Sequence, residues 1–237
     1  AIDFVFPNVN LPAGRHLVVA ANVAAFTANF PGVTDVVGGW TGRLSNVRDE
    51  VELEDASGRQ VDLVEYADQG DWAVRSLTGL GWDWSNPADG LGASLELRQA
   101  ALANNAGQNW QPSITLNGTP GQTNSVATTN LPPMILDVGH LPVVPRSTNS
   151  ITFLARIVDE GLAGVAVRLW RRDAAALDAF TSVVMLDNGQ SNDGVAGDGF
   201  YGVVLAPEAA GVIGEYYVEA VDAGGNTRSW PALADVG

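Results

Sequence analysis

The run Glu50-Val51-Glu52-Leu53-Glu54-Asp55, the turn Ala56-Ser57-Gly58-Arg59 and the return Gln60 to Tyr66 constrain the fold more than any other feature. Alternation with period two suits a strand that buries one face, whereas a helix would scatter the same residues around its circumference. A short glycine-bearing connection then folds the two strands into an antiparallel hairpin. The pattern places Val51 and Leu53 inward and the three glutamates outward. On the return strand it sets Val61, Leu63 and Glu65 on one face and Asp62, Val64 and Tyr66 on the other. With 27 Gly, 12 Pro and only 16% charged residues, the chain favours many short strands joined by turns over long charged helices. Its 237 residues are enough for two β domains, each with its own core.

Ile2-Asp3-Phe4-Val5-Phe6-Pro7 reads as an alternating strand stopped by proline, and Arg15 to Ala20 as a second strand after a Pro-Ala-Gly turn. Asn22 caps a short helix over Val23 to Asn29 that Pro31-Gly32 ends. Thr41-Gly42-Arg43-Leu44-Ser45-Asn46 precedes the hairpin. Further on, Ser94-Leu95-Glu96-Leu97 follows the turn Asn86-Pro87-Ala88-Asp89-Gly90, and its alternation turns Leu95 and Leu97 toward a core. Asn109-Trp110 comes after a polar loop, and Gly118-Thr119-Pro120-Gly121 with Asn124 closes the block. Trp82 to Asn124 resembles the C-terminal half of a lamin-tail domain in its bacterial form, and the preceding strand, turn, strand and helix follow that family's order. The resemblance implies an immunoglobulin-like sandwich whose opening strands are missing here. They are expected upstream or from another chain, which leaves an unpaired edge open to strand addition.

Residues 126–133, polar and then proline-paired, read as a linker, which divides a first domain over 1–125 from a second over 134–237. Seven strands are expected in the second: Met134 to Val138, Ser150 to Asp159, Gly164 to Arg171, Asp178 to Leu186, Phe200 to Ala206, Gly214 to Asp222 and Thr227 to Trp230. Seven is the number that an immunoglobulin or fibronectin-type sandwich needs. Val165, Val167 and Leu169 fall on one face. The segment Glu215 to Asn226 resembles the penultimate strand and turn of bacterial immunoglobulin-like domains. The sequence therefore predicts an all-β protein of two sandwiches, the first carrying one short helix.

The formal charge is −15, and all 12 basic residues are arginine. So acidic a chain repels phosphate backbones, which argues against nucleic-acid binding and makes cations the expected small partners. No cysteine is present, so disulfides, thiolate catalysis and cysteine-based zinc sites are excluded. No apolar run reaches the roughly 18 residues of a membrane-spanning helix.

The densest set of ligand-type residues is Asp187 to Tyr201, where three carboxylates and three amides alternate with glycines. Asp187, Asn188, Asn192, Asp193 and Asp198 can aim several hard oxygens inward, as Ca²⁺ with its six to eight oxygen ligands requires. The run resembles an Asp- and Gly-rich turn of bacterial surface sandwich domains and lacks the spacing of an EF-hand. Asx turns, in which each aspartate bonds its own backbone, explain the same composition. Asp83, Asn86 and Asp89 form a second acidic turn with fewer local ligands. Trp82, Trp84 and Trp110, with Trp40 and Trp72, would suit sugar stacking if exposed and would otherwise anchor the core. His16 and His140 fall in different expected domains, and no Gly-x-Ser-x-Gly elbow occurs. These readings point to a secreted or cell-surface, non-enzymatic structural or adhesive protein, stabilised by Ca²⁺ and partnered by other protein chains through self-assembly or strand complementation. The rivals are an accessory region of a larger exported enzyme and a carbohydrate-binding module.

Overall fold

The computed structural model describes residues 2–175 and 179–232. Strands make up 37% and helix 6%, so the fold is all-β. Contacts group the chain into two units, one of residues 1–74 and 83–128, the other of residues 75–82 and 129–237.

The first unit begins without regular structure. Residues 2–17 join no strand, and Val5 is 86% exposed, so the expected strand over Ile2 to Pro7 does not form. Alternation makes a strand only where a neighbour supplies the hydrogen-bonding ladder, and among the described residues no ladder reaches this segment. Of the expected strand Arg15 to Ala20 only β1, Val18–Ala20, forms, and it pairs in parallel with β2, Val36–Gly38. The crossover between them contains α1, Val23–Asn29, capped as expected by the Asn22 Oδ1, which accepts the Ala25 N–H at 2.9 Å. Gly38 is obligatory there, because a Cβ would lie 1.8 Å from the Ala20 carbonyl oxygen.

The hairpin forms as predicted from β3, Arg48–Glu54, and β4, Gln60–Ala67. Its register sets Val51 opposite Val64 and Glu50 opposite Glu65. The glutamates are solvated, but Val51 and Leu53, expected inward, stay 50% and 40% exposed, because among the described residues β3 pairs only with β4 and little packs over its apolar face. Next along the chain come two further two-stranded pairs: β5, Val74–Thr78, with β6, Gly81–Ser85, whose residues 75–82 group with the second unit, and, in the first unit, β7, Leu95–Leu97, with β8, Trp110–Pro112. On β7 the facing is the reverse of the prediction. Glu96 is buried at 4% exposure while Leu95 and Leu97 are half-buried. The unit's interior is correspondingly polar: Glu96, Gln108 and Asn109 are buried beside only Ala20, Ala106 and Val126 among its described apolar residues.

The second unit has the expected strands with small shifts. They are β9, Met134–Leu141; β10, Ile151–Val158; β11, Ala166–Asp173; β12, Thr181–Met185; β13, Phe200–Leu205; β14, Gly214–Val221; and β15, Thr227–Trp230. Asp178, where the fourth strand was expected to start, lies outside the described residues. One sheet has the order β13-β10-β9 and the other β12-β11-β14-β15. Both face a single apolar cluster: Ile151, Phe153, Ala155 and Ile157 alternate into it from β10, Val167 and Leu169 from β11, and Val218 and Ala220 from β14. Leu169 and Val218 are fully buried, and burial of each such side chain is worth about 1.5–3 kcal/mol.

Residues 126–133 are tethered rather than free. Val126 is 8% exposed within the first unit, where the Thr128 N–H bonds the Arg98 carbonyl at 2.9 Å. In the second unit Leu131 is fully buried, its N–H donates to Glu160 at 3.0 Å, and Arg228 Nε donates to the Pro133 carbonyl at 2.9 Å.

Candidate functional site

The loop between β12 and β13 carries all five residues singled out as calcium ligands, and three aspartates organise it. Asp193, 1% exposed, accepts the Asn188 and Gly189 N–H groups on Oδ2 at 2.8 and 3.0 Å and the Ser191 N–H on Oδ1 at 2.7 Å. Burial alone would raise its pKa, but these amide donors outweigh that effect and hold it below the usual carboxylate range. Asp187 spans the other side, accepting the Gly197 N–H at 2.6 Å and the Gly199 N–H at 2.9 Å. Asp198 accepts the Val195 and Phe200 N–H groups at 2.8 and 3.0 Å. Asn188 Oδ1 accepts the Gln190 N–H at 3.0 Å, and Asn192 takes a left-handed φ of 57°, which asparagine tolerates better than most residues.

The loop is thus braced by its own backbone, with every carboxylate oxygen of the three aspartates accepting an amide and with Asx turns at Asn188–Gln190 and Asp198–Phe200. A cation would have to use their remaining lone pairs. No group of three or more His, Asp or Glu side chains arranged to hold a metal occurs among the described residues.

Asp83, Asn86 and Asp89 each bond to nearby backbone. Asp83 accepts the Trp84 N–H at 2.9 Å, while Asn86 accepts the Ala88 N–H at 3.1 Å and, through its backbone carbonyl, the Asp89 N–H at 2.8 Å. The tryptophans divide by exposure. Trp72 and Trp110 are half-buried with ring centroids 5.9 Å apart, and Trp110 Nε1 donates to the Asn104 carbonyl at 2.6 Å, which anchors the loop. Trp40 is also half-buried. Trp82 and Trp84 stand two apart in β6 and are 37% and 42% exposed, but one face of Trp82 is covered by the Arg75 guanidinium 3.8 Å from its centroid.

The site that sequence reasoning missed is Glu96. Its Oε1 accepts the Thr119 N–H at 3.0 Å and the Thr119 hydroxyl at 2.6 Å, and its Oε2 accepts the Ser125 N–H and hydroxyl, both at 2.7 Å. Burial raises its pKa less than the Thr119 and Ser125 donors lower it, so it stays below the ordinary glutamate value. Asn124 Nδ2 donates to the Leu97 carbonyl at 2.8 Å, and Gly118 must lack a Cβ because one would meet Ser94 Oγ at 2.2 Å. Nearby, the fully buried Asn109 donates to the Gln99 and Ala103 carbonyls and accepts the Gln99 N–H. The Ser-Leu-Glu-Leu, Asn-Trp and Gly-Thr-Pro-Gly segments are therefore parts of one buried polar assembly. The available signal was a lone glutamate in an apolar strand with hydroxyl residues downstream. No protein-family model matches this chain, and no curated protein matches it.

Proposed function

We propose that the protein is a non-enzymatic, secreted or cell-surface structural or adhesive module whose first unit docks another protein segment by strand pairing along β3. In this reading the second unit is an immunoglobulin-like sandwich that serves as a stable spacer, and the first is a lamin-tail-like sandwich completed by added strands. The observation that carries it is the unpartnered side of β3, where Val51 and Leu53 stay exposed. That face borders a cavity of about 410 Å³ lined also by Leu44, Val64, Leu95 and Trp110. An added strand would satisfy open backbone groups and cover apolar area together. Sedimentation of the full chain over a range of concentrations tests this. Association that Val51→Glu and Leu53→Glu abolish is expected, and a monomer at every concentration that captures no extended apolar peptide would overturn it.

The loop from Asp187 to Asp198 is read as braced by its own amides, with Ca²⁺ as an additional ligand to be tested by melting. A second reading, carbohydrate binding, draws on the exposed pair Trp82 and Trp84, and oligosaccharide quenching of indole fluorescence that Trp84→Ala removes would favour it.

A further inference from the structure

A cavity of about 550 Å³ in the second unit is lined by residues from the ends of strands in both of its sheets. That volume lies within the range of small-molecule sites. Its apolar floor is aromatic: Phe153 and Tyr216 meet edge to face with centroids 4.8 Å apart, and His140 lies 5.5 Å from the first and 5.9 Å from the second. His140 Nδ1 lies 3.1 Å from the Pro142 carbonyl. A carbonyl only accepts, so Nδ1 is the donor in this contact.

The charges on the lining mostly cancel in place. Arg171 pairs with Glu208, and Arg172 with Glu215 at 2.7 Å. Asp173 is occupied by the Ala175 N–H at 2.9 Å. The Arg146 guanidinium, on the exposed loop after β9, makes no ion pair or hydrogen bond among the described residues, and the Tyr216 hydroxyl has no hydrogen-bond partner among them. Five N–H donors in a planar fork pair the two oxygens of a carboxylate bidentately. The chain's net charge of −15 acts weakly against this, since charges beyond the Debye length of about 8 Å are largely screened at physiological salt.

We propose that this cavity binds a small carboxylate carried on a flat apolar body, with Arg146 pairing the carboxylate and the Phe153, Tyr216 and His140 rings taking the ring of the ligand. The site is independent of the β3 docking face.

The protein's two histidines make the test direct, because His140 lines the cavity and His16 belongs to the other unit. Aromatic NMR of the full chain is recorded during titration with 3-phenylpropionate and, separately, with its neutral amide. The acid should move the His140 and Tyr216 signals and leave His16 still, with a Kd on the order of 1 mM for so small a ligand. The amide should bind about tenfold more weakly, as loss of a charge-assisted pair requires. Arg146→Gln, an exposed change, should reduce the acid to the affinity of the amide. An unmoved His140 at concentrations on the order of 10 mM would overturn the proposal. Equal binding of acid and amide, or full acid binding by Arg146→Gln, would overturn it equally.

Discussion

Glu96 Oε2 receives both the backbone N–H and the hydroxyl of Ser125, at 2.7 Å each. A buried carboxylate that accepts five donors, two from Ser125, two from Thr119 and a longer one from the Ser94 hydroxyl, stabilises the first unit only while its donors are present. Glu96→Gln would turn an amide donor toward one of these donor pairs. We expect a loss of about 2–4 kcal/mol, read by denaturant unfolding of the first unit, against about 1 kcal/mol for Ser125→Ala. Equal stability of Glu96→Gln and wild type would contradict the assembly.

Asp193 should show the same logic through pH. Its folded pKa lies below the unfolded value of about 3.9, so its stabilisation is fully present above about pH 4 and is lost as pH falls through the folded value. Asp193→Asn should cost about 2 kcal/mol at neutral pH, and the gap from wild type should close in strong acid. Melting curves at several pH values check both.

Calcium provides the contrasting measurement. Since the amides already brace every oxygen of Asp187, Asp193 and Asp198 and leave only the remaining lone pairs to a cation, adding Ca²⁺ or a chelator should leave Tm within about 1 °C of its starting value. A ligand held only by the folded state would raise Tm with concentration, and such a rise would restore the cation to this loop.

Leu131 and Leu169 are both completely buried in the second unit. Either one changed to alanine should lower stability by about 2–5 kcal/mol. Leu53→Ala, at an exposed site, should change it by less than about 0.5 kcal/mol in the isolated chain.

At the hairpin turn, the Asp55 carboxylate accepts the Ser57 hydroxyl at 2.6 Å and the Ser57 and Arg59 N–H groups, and it is held at about 2, chiefly by that hydroxyl. An NMR titration should find Asp55 ionised well below the unperturbed aspartate value, and Ser57→Ala should move it upward.

The sequence was most readable where facing decides burial. The alternation of Val167 and Leu169 located β11 and its buried face, and Asn22 marked the start of α1, because a period and a cap are local properties. The same alternation misled at Leu95 and Leu97, where the buried group is a glutamate satisfied by residues 23 and 29 positions away. It misled again at Ile2 to Pro7, where strand formation depends on a neighbour and not on the segment itself. The aspartates from 187 to 198 were legible as a compact oxygen-rich loop. Which protons those oxygens accept was not, since composition is the same for an amide-braced turn and a cation cage.

The distance along the chain between Glu96 and its donors also orders biogenesis. A ribosome releases residue 96 before Thr119 and Ser125, so a nascent chain cut short ahead of Thr119 holds an acid that lacks all four of their donors. Such a fragment has reason to stay open until those donors have been made.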